Sequence, residues 1–152
     1  MENLLKLWQR VDEFLSRIPL GLDALLSRIA IAQMFWASGE TKVDGFALKP
    51  GTVDLFREEY HLPLIPPEIA APMAATAEHV FPILLVLGLA TRLSALALLG
   101  MTAVIQIFVY PDSWTVHILW AAILIHLIRV GGGPIALDGA AARIYHRKVT
   151  GH

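Results

Sequence analysis

The chain has 152 residues, enough for one domain and not for two. It is 56% apolar with a formal net charge of −1, whereas average globular chains sit at about 45–50% apolar; the excess points to a lipid environment, and the charge gives nucleic acid no electrostatic foothold. It has no cysteine, which excludes disulfides, thiolate nucleophiles and cysteine-held iron–sulfur clusters, so any electron chemistry needs a bound cofactor or a partner.

The first 18 residues read as an amphipathic helix. Leu4, Leu5, Trp8, Val11, Leu15 and Ile18 recur at helical spacing, with Glu2, Lys6, Arg10 and Glu13 on the other face. Such a helix lies in the headgroup layer or packs beneath a bundle. Pro19-Leu20-Gly21 ends it.

Four apolar runs follow, at 20–39, 69–89, 92–110 and 114–130. Each is close to the ~20 residues that one helix needs to cross a hydrocarbon core. They are apolar nearly all round, unlike the helices of a soluble bundle. The first run exceeds a signal-peptide core of ~7–15 residues and holds Asp23 and Arg28, so it reads as a retained span. The expected fold is therefore all-α. It is a single integral membrane domain of four transmembrane helices, with an N-terminal interfacial helix and a long loop between spans one and two.

That loop, 40–67, contains a predicted short helix at 52–60 with Thr52 as its N-cap. Leu62-Pro63-Leu64-Ile65-Pro66-Pro67 is stiff and apolar, and Pro67 suits the start of the next helix. The loop is either a cap folded over the bundle or a plain connector on its rim. Tyr110, Trp114 and Trp120 read as interface anchors near the outer end. Gly131-Gly132-Gly133-Pro134 closes the fourth run; it follows a helix instead of opening one, so it is no phosphate loop. The tail, 135–152, reads as one short amphipathic helix.

Basic residues set the expected orientation. Lys6, Arg10 and Arg17 precede the first run, Arg92 lies between runs two and three, and Arg129, Arg143, Arg147 and Lys148 lie at or after the end of run four. Pro111-Asp112-Ser113 has none. Both termini are thus expected in the cytoplasm.

Ionisable groups inside the runs mark where function would lie, since a charge at membrane depth costs at least ~3 kcal/mol. Taking a rise of 1.5 Å per residue, Arg28 lies ~12 Å and Glu78 ~16 Å from the inner ends of their runs. These depths allow an Arg28–Glu78 pair with Asp23 and Ser27 nearby, serving proton or headgroup chemistry or packing alone. Glu78 shares a helix face with Ala71, Ala74 and Ala75, so it should face the interior. His79 and His126 fall at nearly equal depth on different helices, where they are expected either to ligate a haem axially or to hydrogen-bond core neighbours. Gln106, Tyr110 and His117 approach the outer level of Ser38, Glu40 and Lys42. Together they would form a quinone-like headgroup site or an interfacial hydrogen-bond network. No metal site is expected, because His117 has no second histidine at helical spacing.

These motifs resemble one family along nearly the whole chain. Arg28, Phe35, Ser38-Gly39 and Lys42 resemble the opening signature of DoxX membrane proteins. Glu78, Phe81-Pro82 and the stretch Leu87-Gly88-Leu89-Ala90-Thr91-Arg92 are similar to its second-span pattern. Gln106, Tyr110-Pro111, Trp114 and His117 resemble its third and fourth spans, and Gly133 to Asp138 its C-terminal motif. The resemblance implies a four-helix protein of the bacterial inner membrane. The family is linked to a terminal quinol oxidase, to thiosulfate:quinone oxidoreduction and to oxidative-stress complexes. It implies a redox-linked subunit with a membrane or periplasmic partner. A non-catalytic scaffold or assembly factor and a small permease are the other readings, the last requiring a homo-oligomer.

Overall fold

A computed structural model describes residues 1–15, 19 and 21–140. Arg17, Ile18, Arg143, Arg147, Lys148 and most of the helix expected at 135–152 lie outside the described residues. The described chain is mostly helical. Helix α1 spans Glu2–Leu15 and α2 Leu22–Glu40. A two-stranded hairpin, β1 Val43–Asp44 and β2 Ala47–Leu48, leads to α3 Thr52–Leu55, which runs on into a π-helical turn, Phe56–Tyr60. Then come α4 Pro67–Leu87, α5 Thr91–Val104 with a second π-helical turn Ile105–Val109, and α6 Trp114–Val130.

Among the described residues, two helices are long and apolar enough to cross a membrane: α4, and α5 with its π turn. The third apolar helix, α6, has 17 residues. Helices α2, α4, α5 and α6 pack in a ring, each against two neighbours. Ile31, Phe35, Leu85, Leu98, Leu124 and Leu127 fill its centre. The outward positions are apolar too: Ile69, Val80, Ile83, Leu93, Leu96, Leu119 and Ile125 are all exposed. Apolar side chains on both the inner and outer faces are what a lipid-surrounded helix requires and what a water-surrounded one avoids.

Helix ends follow local chemistry. Pro67 opens α4, where a missing N–H costs nothing. Pro82 lies inside α4 and deprives the Glu78 carbonyl of its helical donor. Gly88 ends α4 at φ +70°, and a Cβ there would meet Arg28 Nη1 at 2.2 Å. The α4–α5 turn is then latched from far along the chain. Asp138 Oδ1 and Oδ2 accept the N–H groups of Ala90 and Thr91, each at 3.0 Å, and Asp138 N–H donates to Gly88 O at 3.0 Å.

The helices are not level, and this positions the site. Ser38 of α2 meets Glu78 of α4, while Arg28 meets Leu85 and Val86, so the pair is antiparallel. The first 11 residues of α4, 67–77, therefore run ~16 Å past the contact with Ser38. The loop fills the space that α2 leaves. Phe56 packs with Ala70 and Ala71 in a second small core that includes Leu48, Tyr60 and Leu62. The segment is thus a cap, not a rim connector. Its N-cap differs from expectation: Gly51, at φ 86°, precedes α3. Thr52 instead turns its hydroxyl to donate to Lys42 O at 3.0 Å.

Candidate functional site

Beneath this cap lies a cavity of about 360 Å³, within the ~300–1,000 Å³ of small-molecule sites. Phe35 from α2, Met73 and Ala74 from α4, Met101 and Val104 from α5, Trp120 from α6, and Phe56 and Leu62 from the cap give it mostly apolar walls. The alanines of α4 leave the room, as Ala70, Ala74 and Ala77 all line the space. Polar groups reach it from three places.

The first is a buried cluster at the end of α2. Lys42 Nζ lies 2.9 Å from Glu78 Oε2 and donates to Glu78 Oε1 at 3.1 Å. It also donates to Ser38 Oγ at 3.1 Å and Ser38 O at 3.2 Å. Ser38 Oγ donates to Glu78 Oε1 at 3.0 Å. Glu78 Oε2 is within ion-pair distance of the ammonium but receives no directed hydrogen bond. The side chains of Lys42 and Glu78 are only 5% and 3% exposed, so each charge persists because the other is there. Close helix approach permits the cluster: a Cβ on Gly39 would lie 2.6 Å from the His79 ring.

The second is His117 on α6, whose Nδ1 lies 2.7 Å from Gln106 Oε1. Its ring sits against Trp120, with centroids 5.1 Å apart. The third is a tyrosine pair where the two π turns meet. Tyr60 and Tyr110 stand edge to face, with ring centroids 6.0 Å apart. Burial, and then the neighbouring Tyr110 hydroxyl, push the Tyr60 phenol well above its ordinary value, so it stays protonated.

Lys42, Glu78, Tyr110 and His117 all line the cavity, and Gln106 holds His117 from behind. Other expected placements are corrected. Arg28 does not pair with Glu78. Its guanidinium donates to Leu85 O at 3.3 Å, Val86 O at 3.4 Å and Ile135 O at 3.5 Å, tying the end of α4 to the C-terminal motif. Asp23 lies 3.2 Å from His126 instead. His79 Nδ1 donates to Ala75 O, 2.6 Å away, and Nε2 sits 3.4 Å from Glu40. His79 thus lies by the last residue of α2 and His126 by its second, some 17 residues or ~25 Å apart, too far to share a haem. The equal-depth reading failed because it set all helices level. Trp120 is no lipid anchor; it packs on Phe35 at 5.6 Å and lines the cavity.

Sequence reasoning missed Tyr60, Phe56, Met73 and the Lys42–Glu78 pairing. One signal was present: Ser38 and Lys42 are four residues apart, so they share a face where the helix ends. The cap aromatics carry no comparable mark. The assembled site has the features that a small neutral molecule needs: apolar walls for a ring, and buried hydrogen-bonding groups for its polar edges.

A family model described as DoxX matches residues 24–111, from α2 through the end of the second π turn. The chain is 30% identical to an uncharacterized protein of Haemophilus influenzae over 139 residues, 86% of this chain and 91% of that relative. No solved structure matches it. The matched stretch contains every polar cavity group named above except His117.

Proposed function

The chain belongs to the DoxX family and is a membrane protein of that type; from that premise we propose that its cavity binds the ring of a quinone-type molecule, as a redox-linked subunit serving a membrane or periplasmic partner protein. The observation that carries the reading is the cavity itself. It is a mostly apolar space of about 360 Å³ with buried hydrogen-bonding groups on separate walls, Lys42–Glu78–Ser38 on one and His117 on another. A quinone ring needs apolar walls for its faces and polar groups for its two oxygens. The lip includes exposed Met34, Met73 and Val104, an apolar rim suited to a ligand with an isoprenoid tail. With no cysteine in the chain, electrons reach such a ligand from a further bound cofactor or from the partner.

In this reading α2, α4, α5 and α6 all span the bacterial inner membrane, with both termini in the cytoplasm. Lys6, Arg10, Arg92 and Arg129 support that orientation. The test is direct. Lipid extraction and mass spectrometry of the purified protein should recover a quinone, and decylubiquinone should quench Trp120 fluorescence saturably. His117→Phe should weaken binding of the reduced form, decylubiquinol, by about tenfold, the loss of one buried polar partner. Absence of both co-purified quinone and saturable quenching would sink the proposal.

A further inference from the structure

The polar groups of the cavity have a fixed hydrogen-bond polarity. Gln106 sits in the π turn after α5, and its amide is clamped at both ends. Nε2 donates to Pro111 O at 2.6 Å; the flipped amide would set oxygen against oxygen there. Oε1 therefore faces His117 Nδ1, 2.7 Å away. An amide oxygen only accepts, so Nδ1 carries the proton and Nε2 of the neutral ring keeps a lone pair. The imidazole is 5% exposed, and the carboxylates within reach of histidines stand at His79 and His126 instead. A second proton on this ring would be a buried charge without a counter-ion.

The opposite wall has the same polarity. Lys42 Nζ has three protons and three directed partners: Ser38 O, Ser38 Oγ and Glu78 Oε1. The single hydroxyl proton of Ser38 goes to Glu78 Oε1. Glu78 Oε2 is left without a directed donor although Glu78 is 2% exposed. Tyr60 and Tyr110 belong to neither of these walls: Tyr110 is exposed at the rim and Tyr60 is half-buried beside it. The buried side chains Lys42, Ser38, Glu78 and His117 thus offer acceptors to the cavity, their own donors being committed.

Building on the quinone-site reading, we propose that Gln106 is a positioning residue that holds His117 as an acceptor, so that the cavity selects the dihydroxy, reduced form of the ring over the dicarbonyl form. A hydroquinone presents O–H groups to His117 Nε2 and Glu78 Oε2. A quinone presents carbonyl oxygens to the same acceptors and leaves them unpaired.

The experiment is an equilibrium redox titration of decylubiquinone and decylubiquinol bound to the purified full chain, with direct affinities for each form. Decylubiquinol should bind at least about tenfold tighter, raising the midpoint potential of the bound couple by about 30 mV per tenfold for a two-electron couple. Gln106→Met keeps the side-chain bulk and removes the clamp. It should cut the preference to roughly threefold or less, because the freed ring can place its proton on either nitrogen. In unliganded wild-type protein, ¹⁵N NMR of labelled histidine should show His117 protonated on Nδ1, a readout that does not depend on the variant folding. Equal or tighter binding of decylubiquinone, or a proton on Nε2, overturns the selectivity and leaves the quinone site standing. Binding of neither form overturns the quinone site, and the selectivity with it.

Discussion

Glu78 and Lys42 form a buried ion pair, and neither charge is stable alone. Removing one partner leaves an uncompensated charge, so Lys42→Met should cost about 3–5 kcal/mol of stability. Replacing both, Lys42→Met with Glu78→Leu, should recover most of it, because apolar groups of similar volume suit the same space. Thermal unfolding in detergent checks this; a double variant as unstable as the sum of its singles would show two independent sites. At this scale the polar residues that line or back the cavity were legible in the sequence. Glu78, Gln106, Tyr110 and His117 stand out as polar letters in apolar runs, and Lys42 as the first cation after one. Their partners were not legible. Counting 1.5 Å per residue gives depth only if every helix starts level, and α4 starts well beyond the end of α2. That offset hands Glu78 to Lys42 and leaves Arg28 to the carbonyls of Leu85, Val86 and Ile135.

At the scale of elements, two junctions hold the helices. Asp138 caps α5 through the N–H groups of Ala90 and Thr91. Asp138→Ala should cost about 1–2 kcal/mol, the value of a lost helix cap, read as a lower unfolding temperature. The other junction is between the π turns. Tyr60→Ala removes the ring that packs on Phe56 and Tyr110 and should loosen the cap by about 1 kcal/mol or more, seen as faster hydrogen exchange across 52–60. The same phenol gives a pH dependence. Its value is raised in the folded protein, so its contribution is intact below the ordinary tyrosine value near 10 and is lost as pH rises through the folded one. Tyr60→Phe should remove that alkaline loss, and an unchanged alkaline profile would contradict it. The long helices were legible from apolar length. The π turns carry no compositional signal, and the cap of α5 comes from a residue 47 positions away, beyond any local motif.

For the whole molecule, the ring of helices and its cap impose a topological constraint that can be tested apart from any ligand. Tyr60 of the cap meets Tyr110 at the end of the second π turn, so the loop and the Pro111-Asp112-Ser113 turn lie at the same end of the ring. Helix α1 leads into the start of α2 at the other end. Its Leu4, Leu5, Leu7 and Trp8 are all exposed, a face that would lie in the headgroup layer on that side. The natural chain has no cysteine, so single cysteines report position cleanly. Asp44→Cys, in the cap, and Asp112→Cys should both react with a membrane-impermeant maleimide in intact spheroplasts. Asp12→Cys, in α1, should react only after permeabilisation. If Asp44→Cys and Asp112→Cys label from opposite sides, the packing of the cap over α5 is wrong. If they agree but on the cytoplasmic side, the packing stands and the proposed orientation reverses, which would turn the cavity and its partner toward the cytoplasm.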